Sequence, residues 1–277
     1  MNEKNDNKRL KNKNIDRFFN IILIGFSFYS FTNLTYSNIY SAVKTKNINK
    51  DLFNKNLFGN PYLLKIPNNT PLDVVIDENF SKEQKETIVK AIFTLDNKLE
   101  GVNYNIILNA QAHDKQCISV LKDKTKTEDY LGVTYAKYPL FATFIKYPIN
   151  ISLNVDYINK EFKSKIDGLK TYDEYLGSIV KHEMLHTLGL ADLYDDSSYG
   201  KSIMYGYTGV NSFNDPSEEE YNILNTVYPT KYDNTIANKD YSNFVTTSVS
   251  APEVYYAKNK EGFKKLQKPI EQSTEIE

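Results

Sequence analysis

A helix that is apolar nearly all round has to justify every polar group it carries, and residues 172–188 of this chain spell such a helix with two histidines in it. Thr171 followed by Glu174 is a capping box that starts it. Tyr172, Tyr175, Leu176, Ile179, Val180, Met184, Leu185 and Leu188 then cover most of the circumference, leaving only Glu174, Ser178 and Lys181 as a narrow polar strip. Such a segment belongs inside a domain. The whole chain of 277 residues has 3 histidines, and His182 and His186 are two of them. At i and i+4 they project from one face, about 6 Å apart along the axis, close enough for both imidazoles to reach one metal ion. Glu183 lies about 100° further round, outside that coordination sphere but within reach of a water held by the metal.

Gly189 ends the helix three residues after His186, in the place where a left-handed glycine commonly stops one. The chain can then turn back, and Asp192 is the first candidate for a third ligand. Asp195 and Asp196 are rivals, although with Ser197 and Ser198 beside them they read more naturally as a solvated turn. Zinc accepts Asp oxygen as well as His nitrogen, and three protein ligands with one open position make a catalytic site.

The run from His182 to Asp192, HEMLHTLGLAD, resembles the metzincin zinc-protease motif HExxHxxGxxH with Asp in place of the third His, as in small secreted bacterial metzincins of the snapalysin type. Ser202-Ile203-Met204-Tyr205-Gly206 resembles the Met-turn of the same clan, closest to that of the matrixins. Residues 215–229, DPSEEEYNILNTVYP, resemble its closing C-terminal helix. The resemblance covers roughly residues 72–229. It implies an α/β (α+β) zincin-like fold: a twisted, mixed, mostly parallel five-stranded sheet with an antiparallel edge strand, two long helices and a small C-terminal subdomain beyond the glycine turn. It also implies one catalytic Zn2+ held by His182, His186 and Asp192, Glu183 as general base, and Met204 packed below the ligands without coordinating. An acidic third ligand leaves the zinc less positive and weakens its acidification of water relative to three histidines. Astacins and serralysins place a Tyr two positions after the Met, where this chain has Gly206. Tyr205 and Tyr207 flank it; packing or lining the S1′ wall is the favoured reading for both, with approach to the substrate oxyanion as the alternative.

The remainder of the chain supplies the frame. LDVVID (72–77) and NYNIILN (103–109) read as strands joined by an amphipathic helix capped by Ser81, with Ile88, Ala91, Ile92 and Leu95 at helical spacing, a βαβ pattern. GVTYAKY (132–138), ATFIKY (142–147) and INISLNV (149–155) read as three more strands. An extended peptide substrate is expected to pair along one of the last two. His113, in the polar stretch QAHDKQ, reads as a loop residue, and the single Cys117 can form no internal disulfide.

Basic residues from Lys4 to Arg17 precede the apolar run 18–31, which has signal-peptide length and falls short of the ~20 residues of a spanning helix. The expected organisation is therefore a signal peptide, or an N-terminal anchor, at 1–37, a connector or short pro-segment at 38–69, a catalytic domain at 70–229 and a polar, loosely packed tail at 230–277. With 34 Lys+Arg against 35 Asp+Glu, nothing points to nucleic acid. The expectation is a secreted or extracellular monomer, cell-surface if the first segment is retained, that acts on protein or peptide. The alternative is an exported binding or surface protein with a structural or inactive zinc site, and Glu183 separates the two because a structural site needs no base. Zinc hydrolysis of another bond, such as cell-wall peptide, is a third reading.

Overall fold

The computed structural model describes residues 52–57, 59–64, 71–108, 117–123, 130–139, 144–165, 171–195, 197–198, 200–206 and 215–228, and the backbone of 253–256 and 264–265. The expected signal peptide, His113, Asp196 and Tyr207 lie outside them. Among the described residues, no helix is long and apolar enough to cross a membrane.

Eight strands form one mixed sheet: β1 (Leu63–Leu64), β2 (Leu72–Ile76), β3 (Tyr104–Leu108), β4 (Cys117–Lys122), β5 (Gly132–Lys137), β6 (Phe144–Leu153), β7 (Glu253–Tyr256) and β8 (Lys264–Lys265). Its centre runs β6-β4-β2-β3, all parallel, with β5 antiparallel along the outside of β6. Helix α1 (Lys82–Lys98) follows β2, α2 (Val155–Lys165) follows β6, α3 (Tyr172–Thr187) carries the histidines, and α4 (Glu218–Val227) closes the domain. This is the expected α+β arrangement, with a mostly parallel sheet, an antiparallel edge strand and two long helices, although the sheet has eight strands where five were expected, since β1, β4, β7 and β8 join it and two expected strands merge into β6. Every residue of β2, and all but the last of β3, is buried, as strands covered on both faces are.

Four elements differ from expectation. Residues 144–153 form one strand, not two. Pro148 broke the pattern in the sequence, yet it lies where the β5 register shifts and one residue before the β4 ladder begins at Ile149, so its missing N–H leaves no gap in the pairing. That strand lies between β4 and β5, so among the described residues β5, and not the expected 142–147 or 149–155 stretches where they are described, is the edge on that side. Residues 117–122 are an inner strand, β4, that periodicity did not reveal, with Cys117 buried on it. Val155 begins α2 where a strand was expected to continue; buried Asn154 ends the strand and caps the helix by accepting the Tyr157 N–H at 3.0 Å. Within the tail expected to be loosely packed, β7 runs antiparallel to β3.

The segment expected to be a connector is part of the domain wall. Leu52, Phe53, Tyr62, Leu63 and Leu64 are buried. Phe53 bridges Leu190, the Asn54 N–H donates to the Gly189 carbonyl at 3.0 Å, and the Ala191 N–H donates to the Leu52 carbonyl at 2.8 Å. Residues 52–64 thus hold the turn that follows the histidine helix. Helices α1 and α3 pack closely enough that a Cβ on Gly177 would stand 3.9 Å from both Ala91 and Thr87, and the Thr87 hydroxyl donates to Asp173 at 2.8 Å.

Candidate metal centre

Both ends of α3 are built as the sequence requires. The Thr171 N–H donates to Glu174 at 2.7 Å and the Glu174 N–H to the Thr171 hydroxyl at 3.2 Å, completing the capping box. At the other end Gly189 takes φ +102°, and the chain folds back past Leu190 to Asp192.

The fold-back brings three side chains together. His182 Nε2 and His186 Nε2 lie 3.1 Å apart, and Asp192 Oδ1 lies 3.2 Å from the first and 3.4 Å from the second. Donors at about 2.0–2.1 Å from a tetrahedral zinc stand roughly 3.3 Å from one another, so these three atoms form one face of such a tetrahedron. The donor set and its spacing fit the ion.

Each histidine is held from behind. His182 Nδ1 lies 2.7 Å from the Ile203 carbonyl oxygen and His186 Nδ1 lies 2.8 Å from that of Leu190. Carbonyls can only accept, so both Nδ1 atoms carry a proton and both Nε2 atoms, the ones a metal would use, face the shared point. The Ile203 carbonyl is fixed in turn by buried Glu220 of α4, which accepts from the Ser202 hydroxyl at 2.6 Å and the Met204 N–H at 3.3 Å, and completes the α4 capping box with Ser217. Met204 is fully buried, and its carbonyl accepts the N–H of Leu193, the residue after Asp192, at 2.8 Å. The turn through Met204 thereby ties α4 to two of the three converging donors.

Charge follows geometry. Burial favours the neutral His182 ring, but the Asp192 hydrogen bond, the Glu183 charge and the Ile203 carbonyl together outweigh it and raise its pKa above the ordinary histidine value. Partial burial of Asp192 opposes its ionisation, while hydrogen bonds from His182 and His186 prevail and hold it far below the usual carboxylate range. A divalent cation at this point would need both Nε2 atoms unprotonated, so its binding would release any proton that His182 Nε2 carries.

Glu183 is buried and faces another way, toward β5. The Thr134 hydroxyl lies 2.7 Å from its Oε2 and 3.0 Å from its backbone carbonyl oxygen, and with one proton to give it favours the charged acceptor. Gly132 leaves room for the carboxylate, since a Cβ there would stand 2.7 Å from Oε1. The four groups border a cavity of about 540 Å³ whose other walls include Asn54, Tyr130, Tyr157 and Gly206.

Among the described residues, the structure groups His182, His186 and Asp192 as donors around a single point. Asp195 does not join them; its carboxylate accepts from Ser197 and from the Ser198 N–H and hydroxyl, the turn its neighbours suggested. Thr134, Gly132, Tyr194 and Asn54 were not singled out in the sequence. Thr134 and Gly132 meet Glu183 only through tertiary packing of the edge strand on α3, which no local pattern encodes. Tyr194, two residues after Asp192, had a local signal in its spacing.

No family model and no curated protein sequence matches this chain. Solved structures similar to it include the GM1-bound form of the ECX AB5 holotoxin, 13% identical with a TM-score of 0.43, covering 65% of this chain and 90% of that one. High choriolytic enzyme 1 (HCE-1), a hatching enzyme zinc-protease from the medaka fish Oryzias latipes, is 15% identical with a TM-score of 0.35, covering 61% of this chain and 95% of that one. At these scores neither likeness decides fold or function, which rest on the chain's own geometry.

Proposed function

We propose that this protein is a secreted zinc-dependent endopeptidase of metzincin type, in which His182, His186 and Asp192 hold the metal and Glu183 is the general base. The observation that carries the reading is the position of Glu183. It is buried next to three converging donors yet is held off them by Thr134, in a cavity large enough for a peptide segment. A purely structural metal site has no use for a carboxylate kept apart in this way, which weighs against a binding protein with an inert centre. Zinc held by the three donors would supply Lewis acidity, lowering the pKa of water from 15.7 toward about 7 and polarising a carbonyl.

The chain's own residues supply the rest. Glu183 takes the proton from the attacking water and returns it to the leaving nitrogen. Strand β5, which has no second partner among the described residues, offers its free edge to an extended peptide, with main-chain hydrogen bonds fixing the scissile bond without reading sequence. Thr134 sits on that same strand, so the strand that receives substrate also orients the base.

The test uses the purified chain, with zinc measured by atomic emission and cleavage of unfolded casein followed on gels. About one equivalent of zinc is expected, with activity lost on chelation and restored by zinc. A zinc-replete protein that cleaves neither casein nor a diverse peptide library would end the endopeptidase reading.

Thr134→Val is expected to lower kcat about tenfold or more with zinc content unchanged, since a hydrogen bond to a charged group is worth about 1.5–3 kcal/mol and each 1.4 kcal/mol is a factor of ten. Thr134→Ser is expected to keep most of the activity. Steady-state kinetics on a fluorogenic peptide decides it, and equal losses in both variants would reduce Thr134 to a packing residue.

A further inference from the structure

Asp192 has two carboxylate oxygens, and they do different things. Oδ1 faces the two histidines. Oδ2 accepts a hydrogen bond from the Tyr194 phenol at 3.1 Å. The local backbone makes this pairing possible: Leu193 is buried and forms a parallel bridge with Tyr205, so its neighbours Asp192 and Tyr194 emerge together on the opposite side.

Gly206 makes room for it. A Cβ at that position would stand 2.5 Å from Tyr194 Cε1, 2.9 Å from Cζ and 3.2 Å from Asp192 Cβ, so the aromatic ring lies across bare backbone. That backbone is fixed, because the Gly206 N–H donates to the Leu193 carbonyl at 2.9 Å while the Leu193 N–H donates to Met204. The glycine and the tyrosine are therefore two halves of one arrangement that ends on a ligand carboxylate.

We infer that Tyr194 is a positioning residue that restricts Asp192 to one metal-facing oxygen. A carboxylate can bind a cation through one oxygen or two. Two would occupy the position that a catalytic site leaves open for water and substrate. By donating to Oδ2, the phenol engages that oxygen and turns the carboxylate plane so that Oδ1 alone points at the shared site, the outer-partner role that tunes metal ligands. The inference rests on the zinc reading of His182, His186 and Asp192.

The test compares the full chain with its Tyr194→Phe and Gly206→Ala variants. Zinc affinity is measured by competition with a chromophoric chelator, the cobalt-substituted proteins are examined by visible absorption, and melting confirms folding. Tyr194→Phe is expected to bind zinc about 10–100-fold more weakly and to change the cobalt bands toward the lower intensity of a higher coordination number. Gly206→Ala, which pushes the ring aside while keeping the phenol in the chain, is expected to shift both readings the same way. Should Tyr194→Phe match the parent in affinity and spectrum, the inference is overturned while the metal centre stands. A parent that takes up neither zinc nor cobalt overturns the metal centre and this inference together.

Discussion

Glu183→Gln is expected to keep its zinc and its fold and to lose about 10²–10⁴-fold in kcat/KM for peptide cleavage, the range that general acid–base catalysis contributes. The glutamine is nearly the same shape, and its amide oxygen can still accept from the Thr134 hydroxyl, so the contact with β5 survives. The three donor atoms are unchanged, because Glu183 is not among those that converge. What disappears is the ability to take up a proton. Zinc content, melting temperature and kcat/KM measured on the same preparation separate these effects. A glutamine variant that cleaves within about threefold of the parent would remove Glu183 from the mechanism.

Gly189→Ala is expected to destabilise the domain by more than about 3 kcal/mol, through two causes that add. At φ +102° any side chain strains the backbone, by roughly 1–3 kcal/mol. The new Cβ would also stand 2.1 Å from the Tyr62 carbonyl oxygen. Neither segment can move away freely, since Asn54 is bonded to the Gly189 carbonyl and Phe53 is bridged to Leu190. Against a total stability of about 5–15 kcal/mol that loss is large, and for a domain of this size it corresponds to a fall in melting temperature of roughly 6 °C or more. Zinc affinity should fall with it, because the Leu190 carbonyl that orients His186 lies on the same turn. A variant that melts within about 2 °C of the parent would show that the close approach to Tyr62 is absent.

The histidine helix was legible because everything that defines it is local. The capping box, the apolar circumference, Gly189 and the four-residue histidine spacing all lie between Thr171 and Asp192, and each acts on its neighbours. Strand β4 was not legible because its six residues have a short and unremarkable pattern, and its place comes from pairing with β2 on one side and β6 on the other. Pro148 misled for a related reason: whether a proline interrupts a strand depends on where the partner's register shifts, and the partner is not in the local sequence. The same limit hid Thr134 and Gly132, whose meaning depends on how β5 lies against α3. Residues 52–64 looked like a connector because their polar and apolar residues follow no period, while their burial is supplied by a turn far along the chain.

That last pairing sets an order in time. Asn54 and Leu190 are 136 residues apart. At about 5–20 residues per second, ribosomal synthesis separates their appearance by roughly 7–27 s. During that interval residues 52–54 lack the turn at 189–191 that they pair with, and the helix that presents both histidines is completed only at its end. The turn behind the candidate metal centre therefore cannot be completed until residues 189–191 have been made. The contact closes late, when an early segment of the domain meets a turn made 136 residues after it.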